Sequence, residues 1–152
     1  MINRTLIAAL AILVLAPTAS ASAKTETLRF YSKVDKATLI KADGTEVPPG
    51  PDPAAAGDRL EILASDFAGT FKKHAKKATA SEHVVCTFTT APEPDCIAHV
   101  AIGGSMLIFK GFPGTLIGGS GKYLGATGKV ISNKTIPGTN DSEVVARIKL
   151  AE

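Results

Sequence analysis

The chain has 152 residues, 45% hydrophobic and 20% charged, with no Trp and a net charge of +3. This is one domain's length with enough apolar side chains for a packed core, which excludes a disordered or collagen-like chain. The charge excess is too mild to imply nucleic-acid binding, and the basic cluster Lys72-Lys73-His74-Ala75-Lys76-Lys77 has no interleaved aromatic platform. That cluster reads as a solvated loop or strand end.

Residues 1–23 have the three parts of a secretory signal peptide: Arg4, the apolar run Leu6 to Ala16, and Pro17 followed by small residues. Cleavage is expected after Ala23, with Ala21 as the fallback, and the apolar run is too short for a bilayer core that takes about 20 residues. No Cys follows the cleavage position, so no lipoprotein anchor is expected. The reading is a secreted or periplasmic protein without a stable membrane anchor, whose mature domain spans residues 24–152.

Thr27 to Val34 alternates, with Leu28, Phe30, Ser32 and Val34 on one face and Arg29, Tyr31 and Lys33 on the other, the period of a strand. Lys41 to Pro53 gathers prolines that cannot donate to a ladder, so it is a long loop or lid. From Gly57-Asp58 a second strand sets Leu60, Ile62 and Ala64 against Arg59, Glu61 and Leu63, with a kink expected near Asp66 and an end at Gly69. His83 to Thr90, Cys96 to Ile102, Ser105 to Lys110, Thr115 to Ile117, Gly128 to Asn133 and Glu143 to Leu150 are further strands, separated by Gly and Pro turns. The sequence thus predicts an all-β domain, a single closed antiparallel β-barrel of about eight strands. A barrel of that size is filled by side chains or holds one small ligand.

Cys86 and Cys96 flank the turn Ala91-Pro92-Glu93-Pro94-Asp95 and would face each other across a hairpin. In an exported chain a disulfide is the expectation. Two cysteines are too few for a zinc site, and no metal is expected.

Leu116 to Gly128, LIGGSGKYLGATG, holds five glycines and a tyrosine. It fails both phosphate-binding templates. Leu116 and Tyr123 stand where a Walker A loop needs Gly and Ser or Thr, and Leu124 stands where a dinucleotide fingerprint needs Gly. No cofactor is therefore expected. The pattern Gly118, Gly119, Gly121, Tyr123, Gly125 and Gly128 instead resembles the GGTGkY..A.G signature of plant allene oxide cyclases and dirigent proteins. The stretch from Ser120 to Glu152 is also similar to bacterial spirotetronate cyclases. Physically the motif suits a barrel corner, with glycines turning the chain and Tyr123 tucked beneath it.

The resemblance implies an apolar lumen that holds a small molecule in one geometry, so that positioning supplies rate and stereochemistry. It implies a barrel that directs the cyclisation or stereoselective coupling of its ligand, with an isomerase or cyclase of the allene oxide cyclase-like type as the enzyme expected, and the alternative is a non-catalytic small-molecule-binding or structural barrel of the same fold. The catalytic residues of allene oxide cyclases do not carry over, because Glu61 and Ala64 stand where that family has proline and asparagine. Candidate lumen polar groups are Tyr31, Asp66, His99 and Tyr123, of which Asp66, beside Phe67, and His99, between Ala98 and Val100, lie in apolar contexts. The expected partner is an apolar small molecule, and the sequence leaves open assembly as a dimer or trimer.

Overall fold

The computed structural model describes residues 24–51 and 53–151, and the expected signal peptide lies outside the described residues. Ten strands follow in chain order: β1 (Thr25–Ile40), β2 (Glu46–Val47), β3 (Arg59–Thr70), β4 (Lys73–His74), β5 (Ala80–Thr87), β6 (Asp95–Ile102), β7 (Ser105–Lys110), β8 (Thr115–Ser120), β9 (Thr127–Thr135) and β10 (Ser142–Lys149). The only helix among the described residues is a single 3-10 turn, Gly121–Tyr123. The eight longer strands form one antiparallel sheet in the order β1-β10-β9-β8-β7-β6-β5-β3, and β3 pairs back onto β1 to close it. Closure removes the free sheet edges, and the expected all-β barrel of about eight strands is what forms.

The strand boundaries differ from expectation where polar residues continue the ladder. β1 runs on to Ile40, because Lys36 to Ile40 pairs with β3 beyond a bulge between Val34 and Lys36. β3 passes through Asp66 and Gly69 without interruption. The proline-rich segment after β1 folds back as β2 against Leu39 and Ile40. Its base is fastened by Asp58, which accepts hydrogen bonds from the Ala55 amide (2.9 Å), the Ala42 amide (3.1 Å) and the Lys41 ammonium (3.0 Å). These donors, the Ala55 amide foremost, hold the Asp58 carboxyl below its ordinary pKa.

Because neighbouring strands are antiparallel, the connections after β1, β5, β7 and β9 gather at one end of the barrel. Those after β3, β6 and β8 gather at the other, with the start of β1 and the end of β10. That second end is plugged. Leu107, Ile148, Phe30, Val130, Tyr123 and Ala126 form the heart of the core there, and Tyr123 is only 2% exposed.

The glycine stretch makes this plug. β8 and β9 share a single ladder pair, Thr115 with Lys129, and the intervening corner carries Tyr123 and Ala126 into the core where the ladder has opened. The close approach depends on Gly119, where a Cβ would collide with the Tyr123 carbonyl oxygen and come within 3.1 Å of the Met106 carbonyl oxygen. Gly121 turns the chain at φ +57, a conformation L side chains rarely adopt.

Gly118, by contrast, would place a Cβ 3.6 Å from Ile108, an ordinary contact. Urea unfolding is therefore expected to show Gly119→Ala destabilised by about 2 kcal/mol or more, and Gly118→Ala by under about 1 kcal/mol. Equal effects at the two sites would contradict this account of the corner.

Candidate functional site

The period of two sends alternate residues of every strand into the barrel. Above the plug these side chains leave a cavity of about 310 Å³, at the lower end of the range for small-molecule sites. Its walls are mainly apolar, built from residues such as Val34, Ile62, Val84, Ala98, Phe109 and Val144. Phe112, Pro113 and Gly114 of the β7–β8 loop and Asn140 of the β9–β10 loop also line it, which places its mouth at the unplugged end. None of the described residues of the segment 41–57 lines it, and that segment folds back on β1 through β2. Phe30, Leu107 and Phe109 contribute to the lining without filling the lumen.

The Cys86–Cys96 disulfide is formed, linking register partners on β5 and β6. Both cysteines line the cavity, so the bridge stiffens the lumen wall itself.

Three polar side chains converge on one side of this apolar space. Ser32 of β1 stands opposite Asp66 of β3 in the register. Glu82 of β5 stands opposite Ala64, two residues from Asp66 on the same inward face. The Ser32 hydroxyl donates to Glu82 Oε2 at 3.2 Å. Asp66 is 2% exposed, and its Oδ1 has no hydrogen-bond partner.

Burial out of water disfavours the charged forms of both acids. The Asp66 carboxyl is pushed up to about 6, by desolvation first and then by the nearby Asp35 charge, with the Ser32 hydroxyl opposing the rise. Glu82 is pushed up to about 7, by desolvation and then by the Asp66 charge, again opposed by Ser32. Both carboxyls are thus held toward their protonated forms near neutral pH, and the pair can hold a proton as well as accept one, as a base and an acid must.

Of the four candidates read from the sequence, Asp66 lines the cavity and the other three do not. Tyr31 lies out of phase with its inward neighbours Phe30 and Ser32. Its ring packs outside the barrel against Phe67, Phe71 and His74, at centroid distances of 5.9, 5.5 and 4.8 Å. Its hydroxyl donates to Asp141 Oδ2 at 2.6 Å, and this bond, ahead of burial, holds the Tyr31 pKa above its ordinary value. Asp141 Oδ1 accepts from the Val34 amide at 3.0 Å, so Tyr31 and Asp141 together tie the β9–β10 hairpin to β1.

His99 is likewise out of phase with Ala98 and Val100. It pairs with His83 in the register and shares with it a groove on the outer wall. Tyr123 belongs to the plug beneath the cavity. Glu82 and Ser32 were not among the candidates, although Glu82 is in phase with the inward Val84 and Cys86. The signal lay one step before the strand start read from the sequence, which began at His83 rather than at Ala80. Among the described residues no group of three or more His, Cys, Asp or Glu is placed to hold a metal ion.

The two raised pKa values carry a sign. Between about pH 4 and about pH 7 the folded chain binds more protons at Asp66 and Glu82 than the unfolded chain does, so stability falls as pH rises through that window. Asp66→Asn and Glu82→Gln remove the buried charge. Each is expected to stabilise the protein by on the order of 2 kcal/mol above about pH 7, and to change it little near pH 4. Thermal melts across this range check the sign, and variants as pH-sensitive as the parent would contradict it.

No protein-family model matches the chain, and no curated protein sequence matches it. Solved structures do. A pterocarpan synthase dirigent protein superposes with a TM-score of 0.58 at 16% identity, over 91% of this chain and 98% of its own. Pyocyanin demethylase superposes with a TM-score of 0.54 at 18% identity, over 83% of this chain and all of its own. At such identities the likeness is one of fold, and the chain has the allene oxide cyclase/dirigent-like β-barrel fold.

Proposed function

We propose that this protein is an exported barrel that takes an apolar small molecule into its lumen and directs its cyclisation or stereoselective rearrangement. The observation that carries the reading is the Asp66–Glu82 pair, a buried and a half-buried carboxyl with raised pKa values facing a mostly apolar cavity of about 310 Å³. A filled structural barrel has no use for two carboxyls that cost stability at neutral pH. Strained or costly groups facing a cavity are where chemistry concentrates.

In this reading the apolar walls hold the substrate in one folded geometry, and positioning supplies much of the rate. Protonated Glu82 donates its proton to the substrate atom that gains electron density. The Asp66 carboxylate accepts a proton from the atom that loses one, and Ser32 holds Glu82 in place through its hydroxyl. One proton enters the substrate and one leaves it, so the substrate is isomerised without an external oxidant, and return of a proton from Asp66 to Glu82 restores the site. The fold neighbours are themselves named for small-molecule chemistry, one a pterocarpan synthase and the other a demethylase of pyocyanin. Export rests on the signal-like segment 1–23 and is compatible with the Cys86–Cys96 disulfide.

Native mass spectrometry of the protein purified from outside the cytoplasm of its own host tests both parts. The expected species is a chain beginning near Lys24 that carries a small apolar molecule, lost in an Ala98→Phe variant whose larger side chain fills the lumen. A full-length chain would overturn export, and an empty lumen in every preparation would overturn the ligand.

A further inference from the structure

The cavity contains an electrostatic imbalance. Among the described residues the only ionisable ones that line it are Asp66 and Glu82, with no Lys, Arg or His. Among the described residues neither acid is in a salt bridge, and Asp66 Oδ1 is buried without any partner. The other charged group near Asp66 is Asp35, which is also negative and is engaged by the Ser65 hydroxyl at 2.6 Å. The charged groups that line the lumen are thus of one sign, and a buried carboxylate with no countercharge is expensive.

Resting on the lumen-binding reading above, we infer that the ligand is an apolar molecule carrying a weakly basic nitrogen, an amine or nitrogen heterocycle whose N–H donates to Asp66 Oδ1. The protonated nitrogen supplies the positive charge that the walls lack. It also fills the one buried acceptor left open, while its hydrocarbon part covers the apolar walls. A neutral alcohol fills the acceptor but leaves the charge uncompensated. A carboxylate ligand, such as a fatty acid, adds a third negative charge to the pair and is rejected, which sets this barrel apart from carriers of anionic lipids. Charge-assisted hydrogen bonds of this kind are about twice as strong as neutral ones.

The test is a matched series on one hydrocarbon frame: naphthylmethylamine, naphthylmethanol and naphthoic acid, titrated against the full mature protein by intrinsic naphthalene fluorescence at about pH 8. The amine is expected to bind about tenfold or more tighter than the alcohol, a difference of about 1.4 kcal/mol, and the acid is expected not to bind. As pH falls through the titration of Asp66 and Glu82 toward about pH 5, the amine's advantage shrinks while the alcohol's affinity holds. Asp66→Asn is expected to bring the amine's affinity down to that of the alcohol, and a far-UV circular dichroism spectrum matching the parent shows that the variant is folded. Alcohol binding equal to or tighter than the amine overturns the basic-nitrogen inference and leaves the lumen reading standing. Failure of all three probes, together with an empty lumen in the protein from its host, overturns the lumen reading itself.

Discussion

Closure of the sheet by β1 pairing with β3 is the constraint on which the rest depends. Once the ends of the sheet join, every strand has an inside and an outside, and the pleat assigns each residue to one of them. Ser32, Asp66 and Glu82 come together only because β1, β3 and β5 are neighbours around the closed wall, with registers that set Ser32 across from Asp66 and Glu82 across from Ala64. Left unpaired, β1 and β3 would expose two ladder edges, and the three side chains would share no enclosed space.

The barrel divides its work along its axis. The plugged end is made by the glycine corner, where the absence of a side chain at Gly119 lets the Tyr123 backbone lie against β7 and β8. This is a packing role with no part in the chemistry proposed for the lumen. The open half keeps its walls apart, with the Cys86–Cys96 bridge and the Tyr31–Asp141 hydrogen bond bracing the wall and the rim. The polar groups sit between the two, deep enough to lose water and near enough to the cavity to meet a ligand. Their raised pKa values follow from that depth, since desolvation is the first cause for both acids.

Much of this was legible in the sequence because apolar alternation survives closure. Leu28, Phe30, Ser32 and Val34 were assigned to one face and do line the lumen together. The same alternation already placed Tyr31 on the other face, and it applies equally to His99 between the inward Ala98 and Val100. Polarity on a strand makes Tyr31 and His99 lumen candidates, but phase decides where a strand side chain points. Glu82 was missed for the complementary reason: Ser81-Glu82 reads as the end of a polar loop, and only the ladder from Asp66 with Ala80 onward extends the strand through it. The way the corner plugs one end depends on Tyr123 joining a core drawn from β1 and from β5 through β10, which no local pattern encodes.

The central claim is that two carboxyls face the lumen away from water. Carboxyl-carbon NMR of the mature protein, with Asp66 and Glu82 assigned through their Asn and Gln variants, measures this directly. The account predicts that the pair titrates with apparent midpoints of about 6 and about 7. Midpoints at the ordinary values of 3.8 and 4.5 would place both groups in water and contradict it.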